Sequence, residues 1–138
     1  MHLLIVDDDP DTVDGLAELL VGAGFECETA LTFQAAKDAM RTSPPDVLVA
    51  DIRLAAYNGL HLVLSRPRRT TAIVMSAFAD PVLESAAVRM GASFIAKPVE
   101  TRQLLELLNR TARRDRSNLQ HQIDSGGDAG SAPRSSDS

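Results

Sequence analysis

Five side chains in this sequence combine chemical reactivity with a shared placement. Asp7 and Asp8 follow the apolar run LLIV, Asp51 follows VLVA, Ser76 follows AIVM and Lys97 follows FIA. If those runs are neighbouring parallel strands, all five residues sit on one edge of a sheet. Three carboxylates gathered there could not all stay ionised unaided, because two unit charges ~4 Å apart repel by about 4 kcal/mol at an effective dielectric near 20. A hard divalent cation such as Mg2+ resolves the conflict, since it takes carboxylate, water and phosphate oxygens. Lys97 adds a second positive charge. Carboxylates around Mg2+ with an ammonium beside them suit phosphoryl chemistry, in which charge on the transferring oxygens must be held.

Each residue taken singly has a plainer reading. Asp9 before Pro10 reads as an N-cap with proline at the first helical position. A serine often ends a strand, and a lysine is most often a surface charge. The coincidence at four strand ends carries the functional reading. Other features carry less. His2, His61 and His121 show no metal-ligand spacing with one another or with Cys27, which reads as a small core residue. Neither a GxxxxGK loop nor a GxGxxG turn is present, and no G-x-S-x-G elbow surrounds Ser76. Arg66, Arg68 and Arg69 read as a solvated turn.

The elements that must position these residues alternate. HLLIV (2–6), ECETA (26–30), DVLVA (46–50), TAIVM (71–75) and ASFIA (92–96) are short β-rich runs. Helical patterns cover Asp11 to Ala23, Phe33 to Arg41, Leu60 to Ser65, Pro81 to Met90 and Thr101 to about Arg113. In the last of these, Leu104, Leu105, Leu107 and Leu108 form the apolar stripe. Asp80-Pro81 repeats the N-cap signal of Asp9-Pro10, and Gly22, Gly24 and Gly91 stand where helices should stop. Alternation of this kind predicts an α/β fold, a doubly wound five-stranded parallel sheet with helices on both faces. In such sheets the site lies outside the carboxyl ends of the strands, where strand order reverses.

The chain of 138 residues has room for one domain. Up to Asn109 it holds 9 basic and 15 acidic side chains, which argues against a sequence-independent nucleic-acid binder. The single cysteine excludes an internal disulfide framework and suits a reducing compartment. No apolar run is long enough to span a membrane, so a cytoplasmic location is expected. From about residue 113 the sequence is rich in Ser, Gly, Asp and Arg and is expected to be a disordered tail following a domain of residues 1–112.

These residues resemble the receiver domain of bacterial two-component response regulators, in its lone, chemotaxis-receiver-like form. The match runs from residue 2 to about 112. It rests on Asp7-Asp8, on Asp51 ending DVLVAD, on Gly59 eight positions later, on Ser76-Ala77 and on Lys97-Pro98. The resemblance implies strand order 2-1-3-4-5 and a phosphorylation-activated signalling switch that works by protein–protein interaction. In it, Asp51 is the phosphoacceptor, and Asp7, Asp8, Asp51 and the backbone carbonyl of Arg53 hold Mg2+. Ser76 and Lys97 bond the phosphoryl group, the Lys97-Pro98 peptide is cis, and Phe94 is the aromatic switch position. The implied phosphodonor is a sensor histidine kinase or histidine phosphotransfer protein, and the output is a downstream protein contacted through helix four, strand five and helix five. No direct nucleic-acid or membrane contact is implied. The chain would not be a conventional enzyme, catalysing only transfer to and hydrolysis from its own aspartate.

Two departures stand out. Leu54-Ala55 replaces the family's residue-proline pair, which should loosen the loop after Asp51. The interval from Gly59 to Ser76 is also short, so helix three should have lost about one turn. Two other readings compete. One is a phosphorylation-independent interaction module, which the intact acidic and basic set disfavours. The other is a Mg2+-dependent phosphatase, which would want an aspartate at position 53, where the chain has Arg53.

Overall fold

The computed structural model describes residues 1–54, 57–77 and 81–114, with 57 and 58 described by backbone alone. The expected N-cap Asp80 and the tail from 115 onward lie outside the described residues. The chain divides into two compact units, Met1–Leu104 and Leu105–Ser138.

In the first unit the strands are β1 (His2–Val6), β2 (Glu26–Ala30), β3 (Val47–Asp51), β6 (Thr71–Ser76) and β7 (Ser93–Ala96), with β4 (Arg53–Leu54) and β5 (Tyr57–Asn58) forming a separate two-residue ladder. The helices are α1 (Pro10–Gly22), α2 (Phe33–Thr42), α3 (Gly59–Ser65) and α4 (Pro81–Arg89). A last helix, α5, spans 101–114. The main sheet is wholly parallel, in the order β2-β1-β3-β6-β7. Leaving the short ladder aside, this is the expected order 2-1-3-4-5.

Connections to β2 run one way along the sheet, and those through α2, α3 and α4 run the other. Right-handed crossovers therefore put α1 on one face and α2, α3 and α4 on the opposite one. On the latter face Leu4, Val6, Leu48 and Ala50 pack with Ala36, Met40 and Leu62. Farther along, Ala72 and Val74 pack with Leu60, Val63 and Ala87. Leu3, Ile5, Val47, Val49, Ile73 and Met75, which alternate with these, are also buried. Both sides of the central strands are thus apolar, as strands covered twice must be.

Two N-caps use side chains that the sequence marks. Asp9 accepts from the Asp11 amide at 3.1 Å and opens α1, with Pro10 behind it. Thr32 Oγ1 accepts from the Ala35 amide at 3.1 Å and opens α2. Thr32→Ala is expected to cost about 1 kcal/mol, read as a lower urea midpoint at unchanged slope. Gly24 and Gly91 have φ of 100° and 82° after α1 and α4, the left-handed conformation that stops a helix.

Two expectations need correction. Cys27 lies on the edge strand β2 and is only half-buried, so it is not a core residue; burial raises its thiol pKa. On this edge strand Glu26, Glu28 and Thr29 are exposed and only Ala30 is buried. Arg66 is not part of a solvated turn. Its guanidinium donates to the carbonyls of Val63, Thr70 and Met90 at 2.8, 2.8 and 3.0 Å.

The second unit continues the last helix. Leu108 and Thr111 are buried there, and Thr111 Oγ1 donates to the Leu107 carbonyl at 3.0 Å.

Candidate functional site

Strand register builds the acidic cluster. Val6 pairs with Ala50, so the next residues, Asp7 just past β1 and Asp51 at the end of β3, stand side by side. Both continue the side of the sheet carrying Ile5 and Val49, because alternation along each strand sends them there. This is the point where the order reverses, between β1 and β3. Asp7, Asp8 and Asp51 each offer a carboxylate oxygen, and these oxygens lie within 4.8 Å of one another. Asp7 is 1% exposed and Asp51 8%, whereas Asp8 is open to solvent.

Lys97 closes the cluster from the far side. Ala96 pairs with Ser76, and the following Lys97 amide donates to the Ser76 carbonyl at 2.8 Å. The backbone thus leaves β7 beside β6, while the lysine stem reaches across to β3 and β1. Its Nζ donates to Asp7 Oδ2 at 2.6 Å and to Asp51 Oδ2 at 3.2 Å. The Lys97-Pro98 peptide is cis. Backbone amides take the other carboxylate oxygens: Asp9 donates to Asp7 Oδ1 at 3.0 Å and Arg53 to Asp51 Oδ1 at 3.1 Å.

Burial pushes the Asp51 carboxyl above the usual aspartate range, and the Arg53 amide and Lys97 only partly offset it. Burial also works against the charge on Lys97, but its bonds to Asp7 and Asp51 outweigh this and its pKa is raised. Three carboxylates against one ammonium leave a formal charge of −2. The donors are hard oxygens and the deficit is that of one divalent cation, so the cluster could hold such an ion.

Ser76 ends β6, buried at 3% exposure, beside Met75, which pairs with Asp51. The Arg53 side chain is exposed, and Phe94 on β7 is half-buried. Past Asp51, Arg53 pairs with Asn58 and Leu54 with Tyr57. Leu54 is buried there, and Ala55 lies outside the described residues.

Sequence reasoning undervalued Gly59. Its amide donates to the Ile52 carbonyl at 2.7 Å, and a Cβ built on it would overlap the Asp51 carbonyl oxygen. The backbone carrying Asp51 thus rests against position 59. His61 stacks edge-on to Phe33 at 6.4 Å between centroids and takes no part in the cluster.

Lys97→Met would leave the buried Asp7 carboxylate facing Asp8 and Asp51 with no cation. The expected cost is about 2–4 kcal/mol at neutral pH without divalent ions. Lower pH should shrink the deficit, because protonation removes the repulsion, and millimolar Mg2+ should recover part of it. Thermal melts at pH 7 and pH 5, with and without Mg2+, check this.

A doubly wound parallel sheet with carboxylates and a lysine at its switch point defines the class: a receiver-type α/β domain. Residues 3–109 match the response regulator receiver domain family, and the chain belongs to it. It is 34% identical over 110 residues to the DNA-binding transcriptional regulator NtrC of Klebsiella pneumoniae, covering 77% of this chain and 24% of that protein. It is 34% identical over 110 residues to the photosynthetic apparatus regulatory protein RegA of Rhodobacter capsulatus, covering 77% of this chain and 60% of that one. The matched region thus spans from a quarter to three fifths of those relatives' lengths. Among solved structures, a CheY-like response regulator receiver domain protein from Methanospirillum hungatei JF-1 is 26% identical, with a TM-score of 0.77, covering 84% of this chain and 97% of that one. Among the described residues, no helix is long and apolar enough to cross a membrane.

Proposed function

We propose that the chain is a phosphorylation-activated signalling switch that accepts a phosphoryl group on Asp51 in a Mg2+-dependent reaction. The observation that carries this reading is the meeting of Asp7, Asp8, Asp51 and Lys97, drawn from three strands into one nest around the buried Asp7 and Asp51. A carboxylate oxygen of Asp51 attacks the donor phosphorus. The new P–O bond forms as the donor's P–N bond breaks, when the donor is a phosphohistidine of a sensor kinase or phosphotransfer protein. The product is an acyl phosphate, and water later cleaves it. Asp7, Asp8, Asp51 and the Arg53 carbonyl would hold the magnesium ion, whose chemistry is to neutralise charge on the transferring oxygens. Lys97 is already beside Asp51 and would bond the phosphoryl oxygens, with the Ser76 hydroxyl joining it.

Phosphorylation adds up to one further negative charge and strong acceptor oxygens at position 51. Lys97 would then exchange Asp7 for the phosphoryl group, and Ser76 would be drawn the same way. Both lie at strand ends next to α4 and β7, so the face bearing Phe94 would be remodelled and present itself to a downstream protein. The shift can be only as large as the difference in these contacts between the two states.

Incubation with acetyl phosphate and Mg2+ tests the reading by intact mass. A gain of one phosphoryl group, absent with EDTA, is expected. No gain under any condition would favour a phosphorylation-independent module, and turnover of external phosphoesters would favour a phosphatase.

A further inference from the structure

The acidic nest lies at the carboxyl edge of the sheet, and a group of cations lies at the opposite edge. Lys37 and Arg41 stand one turn apart on the C-terminal half of α2, and Arg68 and Arg69 lie in the segment leading into β6. Between α2 and the end of α3, a cleft of about 230 Å3 is lined by Lys37, Met40, Arg41, Ser65 and Pro67. Pockets that hold drug-sized ligands run from roughly 300 to 1,000 Å3, so this one suits something smaller.

Among the described residues, no carboxylate pairs with Lys37, Arg68 or Arg69. The Lys37 ammonium lies over the Phe33 ring, 5.4 Å from its centroid, a contact that leaves N–H donors for an oxyanion. Arg41 gives Nη2 to Asp38 at 2.5 Å, and Asp38 also accepts from Gln34 Nε2 at 3.0 Å. Asp46, at the start of the same edge, takes the His2 amide at 2.7 Å. Four cations against these two carboxylates leave a formal +2 in a chain whose net charge is −5. Ser65 Oγ already donates to the His61 carbonyl at 2.8 Å, so charge and not the hydroxyl would hold a ligand.

The backbone under the arginine pair is fixed. The Thr70 amide donates to the Pro67 carbonyl at 3.0 Å, closing a turn with Arg68 and Arg69 at its exposed tip. Thr70 is buried; its Oγ1 donates to the Pro45 carbonyl at 2.6 Å, and its carbonyl accepts from Arg66 Nε at 2.8 Å. A turn already held in place loses less freedom when a ligand binds to it.

We propose that this cleft is a second site, which binds a small multivalent oxyanion of the diphosphate class. The planar fork of Arg41 suits one phosphate. The Lys37 side chain, roughly 5–6 Å away along the helix, suits the other. Arg68 and Arg69 follow Pro67, one wall of the cleft, and add charge that concentrates anions there. The site does not rest on the signalling reading, because β3, from Val47 to Asp51, sets the two edges roughly 13 Å apart.

Amide NMR spectra of the full chain test this, with sodium diphosphate titrated at constant ionic strength in the presence of EDTA. Saturable shifts at 37–41 and 65–70 are expected, with no comparable response to sodium chloride. Lys37→Gln and Arg41→Gln should each weaken binding about tenfold. Asp38→Asn, which frees Arg41, should tighten it, a gain that poor folding cannot mimic. Shifts that never saturate, or parent-like affinity in a folded chain carrying both Lys37→Gln and Arg41→Gln, would overturn the site. Saturation by a glutamate oligopeptide and not by diphosphate would overturn the ligand class.

Discussion

Asp51→Asn is expected to abolish phosphoryl uptake while leaving the fold intact and more stable. The two effects have one origin. Asp51 is buried at a strand end, where the charge that makes it nucleophilic is costly. An amide oxygen carries no formal charge and cannot form the acyl phosphate, so labelling by acetyl phosphate should fall by about three orders of magnitude or more. The stability effect follows from the raised pKa. The folded chain binds the Asp51 proton more tightly than the unfolded chain does. That contribution is fully present below the unfolded value near 3.9 and is lost as pH rises through the folded value. At neutral pH the ionised carboxylate therefore works against folding, and Asp51→Asn relieves it. Melts without divalent ions should show a higher midpoint for the variant at pH 7, and the gap should narrow on acidification. A lower midpoint at pH 7 would mean that the bond from Lys97 outweighs the cost of burial.

Gly59→Ala carries the largest expected penalty to folding. Its φ is ordinary, so the requirement is one of space. The added Cβ would meet the Asp51 carbonyl oxygen and lie 2.9 Å from both the Asp51 carbonyl carbon and the Ile52 Cα. These are backbone atoms of a central strand and its exit, which cannot swing aside as a long side chain would. A loss of about 3 kcal/mol is expected. Because the strain falls on Asp51, the proposed acceptor, labelling should slow in the fraction that remains folded. Gly15→Ala in α1 is the matched control. Nothing lies within 4 Å of a Cβ there, so better helix propensity should raise stability by about 0.5–1 kcal/mol. Urea unfolding of the two variants beside the parent separates crowding from a general effect of adding a methyl group.

Much of this architecture was legible because apolar period and capping residues agree along the chain. VLVA and AIVM read as strands covered on both faces, and both are fully buried. The third strand was read one residue early, at 46–50, because Asp51 looks like a loop residue, yet it keeps ladder pairing with Met75. Parallel strands share one edge, so the meeting of Asp7, Asp51 and Lys97 could be foreseen from their positions after apolar runs. Their bonds could not. Lys97 sits closer to Asp7 than to Asp51, across 90 residues of sequence, and only the crossing of strands decides which oxygen it meets. Gly59 was visible as a spacing, but the atom it must clear was not. Arg66 was misread because its carbonyl partners lie 3, 4 and 24 residues away, on separate elements, and a cluster of arginines resembles any solvated turn.

The most direct measurement is to locate the phosphoryl group. The chain is treated with acetyl phosphate and Mg2+, the acyl phosphate is reduced with borohydride, and the peptides are mapped by tandem mass spectrometry. Conversion of aspartate to homoserine at position 51 alone is the predicted result. Conversion at Asp7 or Asp8, or none at all in protein that has gained phosphoryl mass, would contradict the account.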